Sequence, residues 1–275
     1  MGETTEKVFT VATAYSDARR TEDAARTNAR FANVITLTEL LPYGERYNKV
    51  TLEPLVVTAI TGNSPLVVYD LLHLDGLLSY AVMMEATSGT GPGDDEQIYY
   101  CPLPVMRLWS SKNGLPLWAA SDLFPTTDSV ESTVIYHQRF LEPTRTGRFM
   151  DKRIPKPVVV SPQWKARCFG NAQEVKRLLN LLGSIGKHRH DGMGRVKEWR
   201  IEQGEFSPGD TLIADEKLMR PLPEMALHHF VDLLPRGNSS LVAWTPPYWK
   251  RQLFNFGWRT GTRVHNAEID YFNGW

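Results

Sequence analysis

The run LGSIGKHRHDGMGRVKEW, Leu182 to Trp199, sets Gly183, Gly186, Gly192 and Gly194 among Lys187, Arg189, Arg195 and Lys197, with His188 and His190 between them. Glycines allow backbone shapes in which successive N–H groups converge on a phosphate, and the cations supply neutralising charge. On this reading the segment is an anion cradle. Lys187, His188, Arg189, His190 and Arg195 are its side-chain contacts, and the backbone N–H groups of Gly192 and Gly194 approach the ligand closely. RNA or another polyphosphate is the natural partner. The same composition also suits a solvated loop whose glycines only make turns. Neither GxGxxG opening a helix nor GxxxxGK followed by Ser or Thr occurs, so no nucleotide cofactor is expected.

A second basic segment, EPTRTGRFMDKRIPKP from Glu142 to Pro157, alternates cations with turn formers. It reads as a mobile basic arm in which Arg145, Arg148, Lys152 and Arg153 contact phosphates, the alternative being a surface linker. Between Arg139 and Arg200 there are 15 Lys plus Arg against 5 Asp plus Glu, and the rest of the chain cancels this with 16 against 26. A basic centre in an acidic frame suits a subunit that holds nucleic acid on one face and protein neighbours on others.

Cleavage is the competing chemistry. A metal-independent ribonuclease needs a general acid or base near neutral pKa and a cation for the phosphorane-like transition state. His73, His188 and His190 are eligible by type, with Lys187 or Arg189 as the cation. Histidines in a basic loop bind phosphate equally well without cleaving, so the expected role is holding, with no catalytic residue. His188, His190 and Asp191 would place a divalent metal beside Lys187 and Arg189, which is electrostatically unfavourable, and no metal is expected. His228 and His229 fall in PLPEMALHHFVDLL, a predicted helix with one histidine near its apolar face. Cys101 and Cys168 form no CxxC pair, which fits a reducing cytoplasm. The most apolar stretch, Pro65 to Met84, is interrupted by Asp70, His73 and Asp75; no signal peptide and no membrane span are expected.

The positioning elements follow from periodicity. Residues 1–49 are polar, with a predicted helix over Asp17 to Asn33, and read as an N-terminal extension. The globular part, 50–275, begins with a strand over Leu52 to Thr61, a turn at Gly62 to Pro65 and a second short strand. Leu77, Leu78, Ala81 and Val82 have helical spacing over Leu74 to Ala86, with Asp75 as cap. Strand then helix opens a βαββαβ unit. The turn Lys112-Asn113-Gly114 separates two extended segments. NAQEVKRLLNLL, Asn171 to Leu182, reads as a helix capped by Asn171, with Glu174 three residues on and Gly183 as its stop. The strand RVKEWRIE follows the glycine loop. Nine aromatics crowd the last 35 residues, Trp244, Tyr248 and Phe254 among them. Most are expected in the core, with base stacking as a role for some.

The first strand, the block HLDGLLSYAV at His73 to Val82, LPVMRLWSSKNGLPLWAASDLF at Leu103 to Phe124 and the late GKHRHDGMGRVKEW occur in the order seen in RAMP-type CRISPR proteins. The chain resembles that superfamily, and most closely the Cas-five-like subunit of type IV effector complexes. The likeness covers roughly residues 50–205; the first 49 and last 70 match weakly. It implies an α+β, ferredoxin-like and RRM-related core with an extended basic arm and a glycine-rich loop. It also implies a non-catalytic role, binding the 5′ handle of CRISPR RNA and capping a filament of backbone subunits. The implied partners are crRNA, the backbone and large effector subunits, and target DNA through the assembled complex. The related alternative is a RAMP endoribonuclease that matures CRISPR RNA.

Overall fold

A computed structural model describes residues 34–35, 37–68, 71–89, 98–126, 128–138, 152–187, 189–230, 233–248 and 250–265. The expected helix at 17–33, Arg145, Arg148 and His188 lie outside these residues, and for Lys152, Arg153 and His190 the backbone alone is described.

The first helix, α1 (Leu41–Tyr47), precedes β1 (Glu53–Ile60), β2 (Leu66–Val67) and β3 (Leu72–His73), which runs directly into α2 (Leu74–Ala86). After a short hairpin, Arg107–Ser110 with Pro116–Trp118, come β4 (Asp122–Pro125), β5 (Val130–Gln138), β6 (Lys152–Val160), β7 (Gln163–Gly170), α3 (Ala172–Leu179) and β8 (Glu198–Gln203). The C-terminal part adds β9 (Leu222–Pro223), β10 (Ser240–Ala243) and β11 (Phe254–Trp258). The fold is mixed α+β with mostly antiparallel strands.

The central sheet has the order β8-β1-β7-β4-β3, and every neighbouring pair is antiparallel. Alternation fixes its faces, because successive strand residues point to opposite sides. Trp164 and Trp199 both pair with Ala59, Ala166 and Ile201 with Val57, and Cys168 with Leu55; these residues make the inner face. Leu78, Ala81 and Val82 of α2 and Val175, Leu178 and Leu179 of α3 close over it in one apolar cluster. On the other face the register sets Lys165, Thr58 and Arg200 in one row.

The two helices are tied at their exposed edges. Arg177 of α3 donates to Glu85 of α2 at 2.5 Å and to Glu174 at 3.0 Å, and Arg46 of α1 reaches the same Glu174. Asn171 caps α3 as expected, its side chain accepting the Glu174 N–H at 3.0 Å. The Glu174 carboxylate turns to the two arginines, and Gly183 is not the stop, since α3 ends at Leu179 with the Asn180 N–H bonded to the Lys176 carbonyl. Leu40 and Tyr47, ahead of residue 50, are buried in the main cluster.

A long antiparallel ribbon, β5 with β6, is inserted between β4 and β7, in register from Val130↔Val160 to Gln138↔Lys152. It is anchored where Leu66 and Val67 of β2 pair with Val159 and Val158. Lys152 and Arg153 therefore begin the returning strand, at the far end of the ribbon.

The C-terminal part forms its own sheet, β9-β11-β10, over a second apolar cluster around Leu212, Leu222, Trp244 and Leu253. The helix expected around His228 and His229 is a 3-10 turn at Glu224–His229 with both histidines exposed. The prolines on either side of Leu222 supply no backbone donor, and that segment pairs in a sheet instead. Among the described residues no helix is long and apolar enough to cross a membrane.

Candidate functional site

Several amides of the glycine-rich loop are spent on residues 64–67 and on the loop itself. Lys187 N–H donates to the Val67 carbonyl, Gly194 N–H to the Pro65 carbonyl at 2.8 Å, and Gly192 N–H to the Arg189 carbonyl at 3.1 Å. Arg195 N–H bonds to the Ser64 hydroxyl at 3.0 Å. The expectation that the amides of Gly192 and Gly194 cradle a phosphate is therefore corrected: both donors are spent inside the protein. Gly194 is needed for packing instead. It sits at φ +65°, and a Cβ there would stand 1.9 Å from the Ile185 carbonyl oxygen.

What remains of the cradle is its side chains. Arg189 and Arg195 are exposed, and the Arg189 guanidinium lies 4.8 Å from the centre of the Tyr80 ring, a cation–π contact with α2. Lys187 and Arg189 line a cleft of about 470 Å³. Its walls come from Val67 of β2 and Val68 just after it, from Gly76, Leu77 and Tyr80 on one face of α2, and from Leu241, Val242 and Phe254 of the C-terminal sheet. Arg259 and Thr260 complete the lining, and among the described residues none that lines the cleft is a carboxylate.

His73 lies in this cleft, brought there because β3 pairs it with Asp122 of β4. The Asp122 carboxylate meets His73 Nδ1 at 2.5 Å and is also held by the Thr260 hydroxyl. The His73 ring stacks on Tyr248 with centroids 3.6 Å apart. Burial works against charge on this imidazole, but Asp122, with Asp75 beyond it, outweighs burial and holds its pKa above the ordinary histidine value. With Nδ1 occupied, Nε2 is left for anything that enters the cleft.

Behind the stack lies a buried network. Tyr248 donates to Asp75, and Arg220 donates to Asp75 at 2.9 Å and to the carbonyls of Ala120 and Trp244. Burial pushes the Tyr248 hydroxyl well up, so it remains a neutral donor. Asp75 is thus no helix cap, as its sequence position suggested; the residue before α2 is His73, and Asp75 faces inward.

Of the residues expected from the sequence, the fold brings together His73, Lys187 and Arg189, and leaves Arg195 outside the cleft lining. Asp122, Arg259 and Thr260 were not legible, and Tyr248 stood only as one of nine C-terminal aromatics, its partner Asp75 lying 173 positions away. The only local signal was a histidine and an aspartate alternating at the start of a helix. Among the described residues no three His, Cys, Asp or Glu side chains converge as a metal site would require.

No protein-family model and no curated protein matches the chain.

Proposed function

We propose that this chain is an RNA-holding subunit of a type IV CRISPR effector, similar to the Cas-five-like proteins that bind the 5′ handle of crRNA and cap the backbone filament. The observation that carries the reading is the cleft lined by Lys187, Arg189 and Arg259 beside apolar side chains, next to a loop whose further cations Arg195 and Lys197 are exposed. Phosphates are neutralised by such clusters, and bases find apolar walls beside them.

The strand order supports a ferredoxin-like, RRM-related core. Taking β1, β4, β7 and β8 as the four strands of a βαββαβ unit, the sheet runs fourth, first, third, second, with α2 and α3 on one face. The ribbon β5–β6 is then part of the extended arm, and the residues between its two strands, 139–151, lie outside the described residues. In this role the subunit works in the cytoplasm with the backbone and large subunits and reaches target DNA through the assembled complex. It holds RNA and does not cut it.

One observation favours the second reading, a metal-independent endoribonuclease: His73, oriented by Asp122, stands in the same cleft as Arg189. The discriminating experiment incubates the full chain with labelled CRISPR repeat RNA in EDTA. Retention without cleavage is the expected result. Specific cleavage abolished by His73→Ala would transfer the chain to the nuclease class.

A further inference from the structure

The cleft is more selective than a basic patch. Its lining includes the apolar Val68, Leu72, Leu77, Leu241, Val242 and Phe254 beside three cations, Lys187 and Arg189 from the loop and Arg259 from the C-terminal part. A free phosphate would satisfy the cations and leave the apolar walls against water. A neutral apolar ligand would do the reverse. The ligand that meets both demands carries an anion on a flat or apolar body, and a volume of about 470 Å³ lies within the range of small-ligand clefts. His73, with Nδ1 held by Asp122, adds one oriented polar group to the same lining. Tyr248 behind it is fixed through Asp75 and Arg220, so this wall is pre-formed.

Resting on the RNA-holding reading above, we propose that the cleft is a single-nucleotide pocket. One base of a single strand is splayed out of the stack and seated among Leu77, Val242 and Phe254, with its phosphate at Arg189 and Arg259. The base enters between two parts of the chain that are distant in sequence, α2 and the C-terminal sheet. The pocket thereby gives the residues after 205 a direct role in holding RNA.

Equilibrium dialysis of the full chain against adenosine and uridine 5′-monophosphates, with the free nucleosides and inorganic phosphate as separate probes, tests this. A single-stranded RNA is titrated in parallel. Saturable binding of a nucleotide at least ten-fold tighter than of either fragment is expected. Leu77→Trp, which fills the pocket, and Arg259→Ala, at an exposed position, should each weaken nucleotide and RNA binding about ten-fold or more. Thermal unfolding checks both variants, and the second stands if the first does not fold. Phosphate binding as tightly as the nucleotide would overturn the pocket. RNA affinity unchanged in both variants would overturn it too while leaving the RNA-holding reading intact. Saturable nucleotide binding with no RNA binding by the unaltered chain would support the pocket and sink that reading.

Discussion

Arg220 donates to the Asp75 carboxylate at 2.9 Å, with each side chain only 1% exposed. The pair joins the first turn of α2 to the C-terminal part of the chain, and Tyr248 closes the triangle by donating to Asp75 and accepting from Arg220. A buried charge survives only with its partner, because desolvation is uncompensated once that partner is removed.

Removing either half should therefore be costly. Arg220→Met or Asp75→Asn is expected to lower unfolding free energy by about 3–5 kcal/mol, read from urea midpoints, with partial recovery in Asp75→Leu/Arg220→Met. A loss of under about 1 kcal/mol for either single variant would show that the pair does not bind the two parts together.

His73 gives a pH signature. Its folded-state pKa is raised by Asp122 in spite of burial, whereas the unfolded chain titrates near 6.5. The stabilisation is thus fully present below that unfolded value and is lost as pH rises through the higher folded value. Urea unfolding between pH 5.5 and 8.5 should show the unaltered chain losing stability relative to His73→Gln as pH increases. Parallel profiles would contradict the His73–Asp122 assignment.

Two loop glycines should behave differently. Gly192 at φ +78° has no described atom within 4 Å of where a Cβ would go, so Gly192→Ala should cost only about 1–2 kcal/mol of backbone strain. Gly194→Ala meets the Ile185 carbonyl and the Leu66 side chain as well, and should be clearly the more damaging in the same unfolding assay.

Both thiols should be silent. Burial pushes Cys101 and Cys168 up to about 12, so native protein should not react with a thiol reagent at pH 8, and denatured protein should release two equivalents. Rapid labelling of native protein would contradict their burial.

Much of the frame was legible because it is encoded locally. Leu77, Leu78, Ala81 and Val82 recur at helical spacing in α2, and Asn171 precedes an amphipathic segment that forms α3. The turn at Gly114 was equally plain, its φ of +77° suiting glycine. Of the site, His73, Lys187 and Arg189 were legible by residue type. Nothing near Asp75 signals Arg220, 145 positions later, and nothing near His73 signals Asp122 or Thr260. The glycine loop misled for a related reason: its amides are taken by the Pro65 and Val67 carbonyls, the Ser64 hydroxyl and the loop's own Arg189 carbonyl, and the docking of 64–67 against the loop depends on the tertiary fold. The exposed histidines at 228 and 229 show the same limit, since an apolar period there gave way to sheet pairing of Leu222 with Trp258.

The most direct test of RNA holding is the salt dependence of binding to labelled CRISPR repeat RNA in EDTA, for the unaltered chain and for Lys187→Ala/Arg189→Ala. Affinity should fall as salt rises, and the variant should bind more weakly, with a log–log slope shallower by about 0.7 for each lost phosphate contact. Equal affinities and equal slopes, with the variant still folded, would contradict the assignment of this loop and its cleft to RNA.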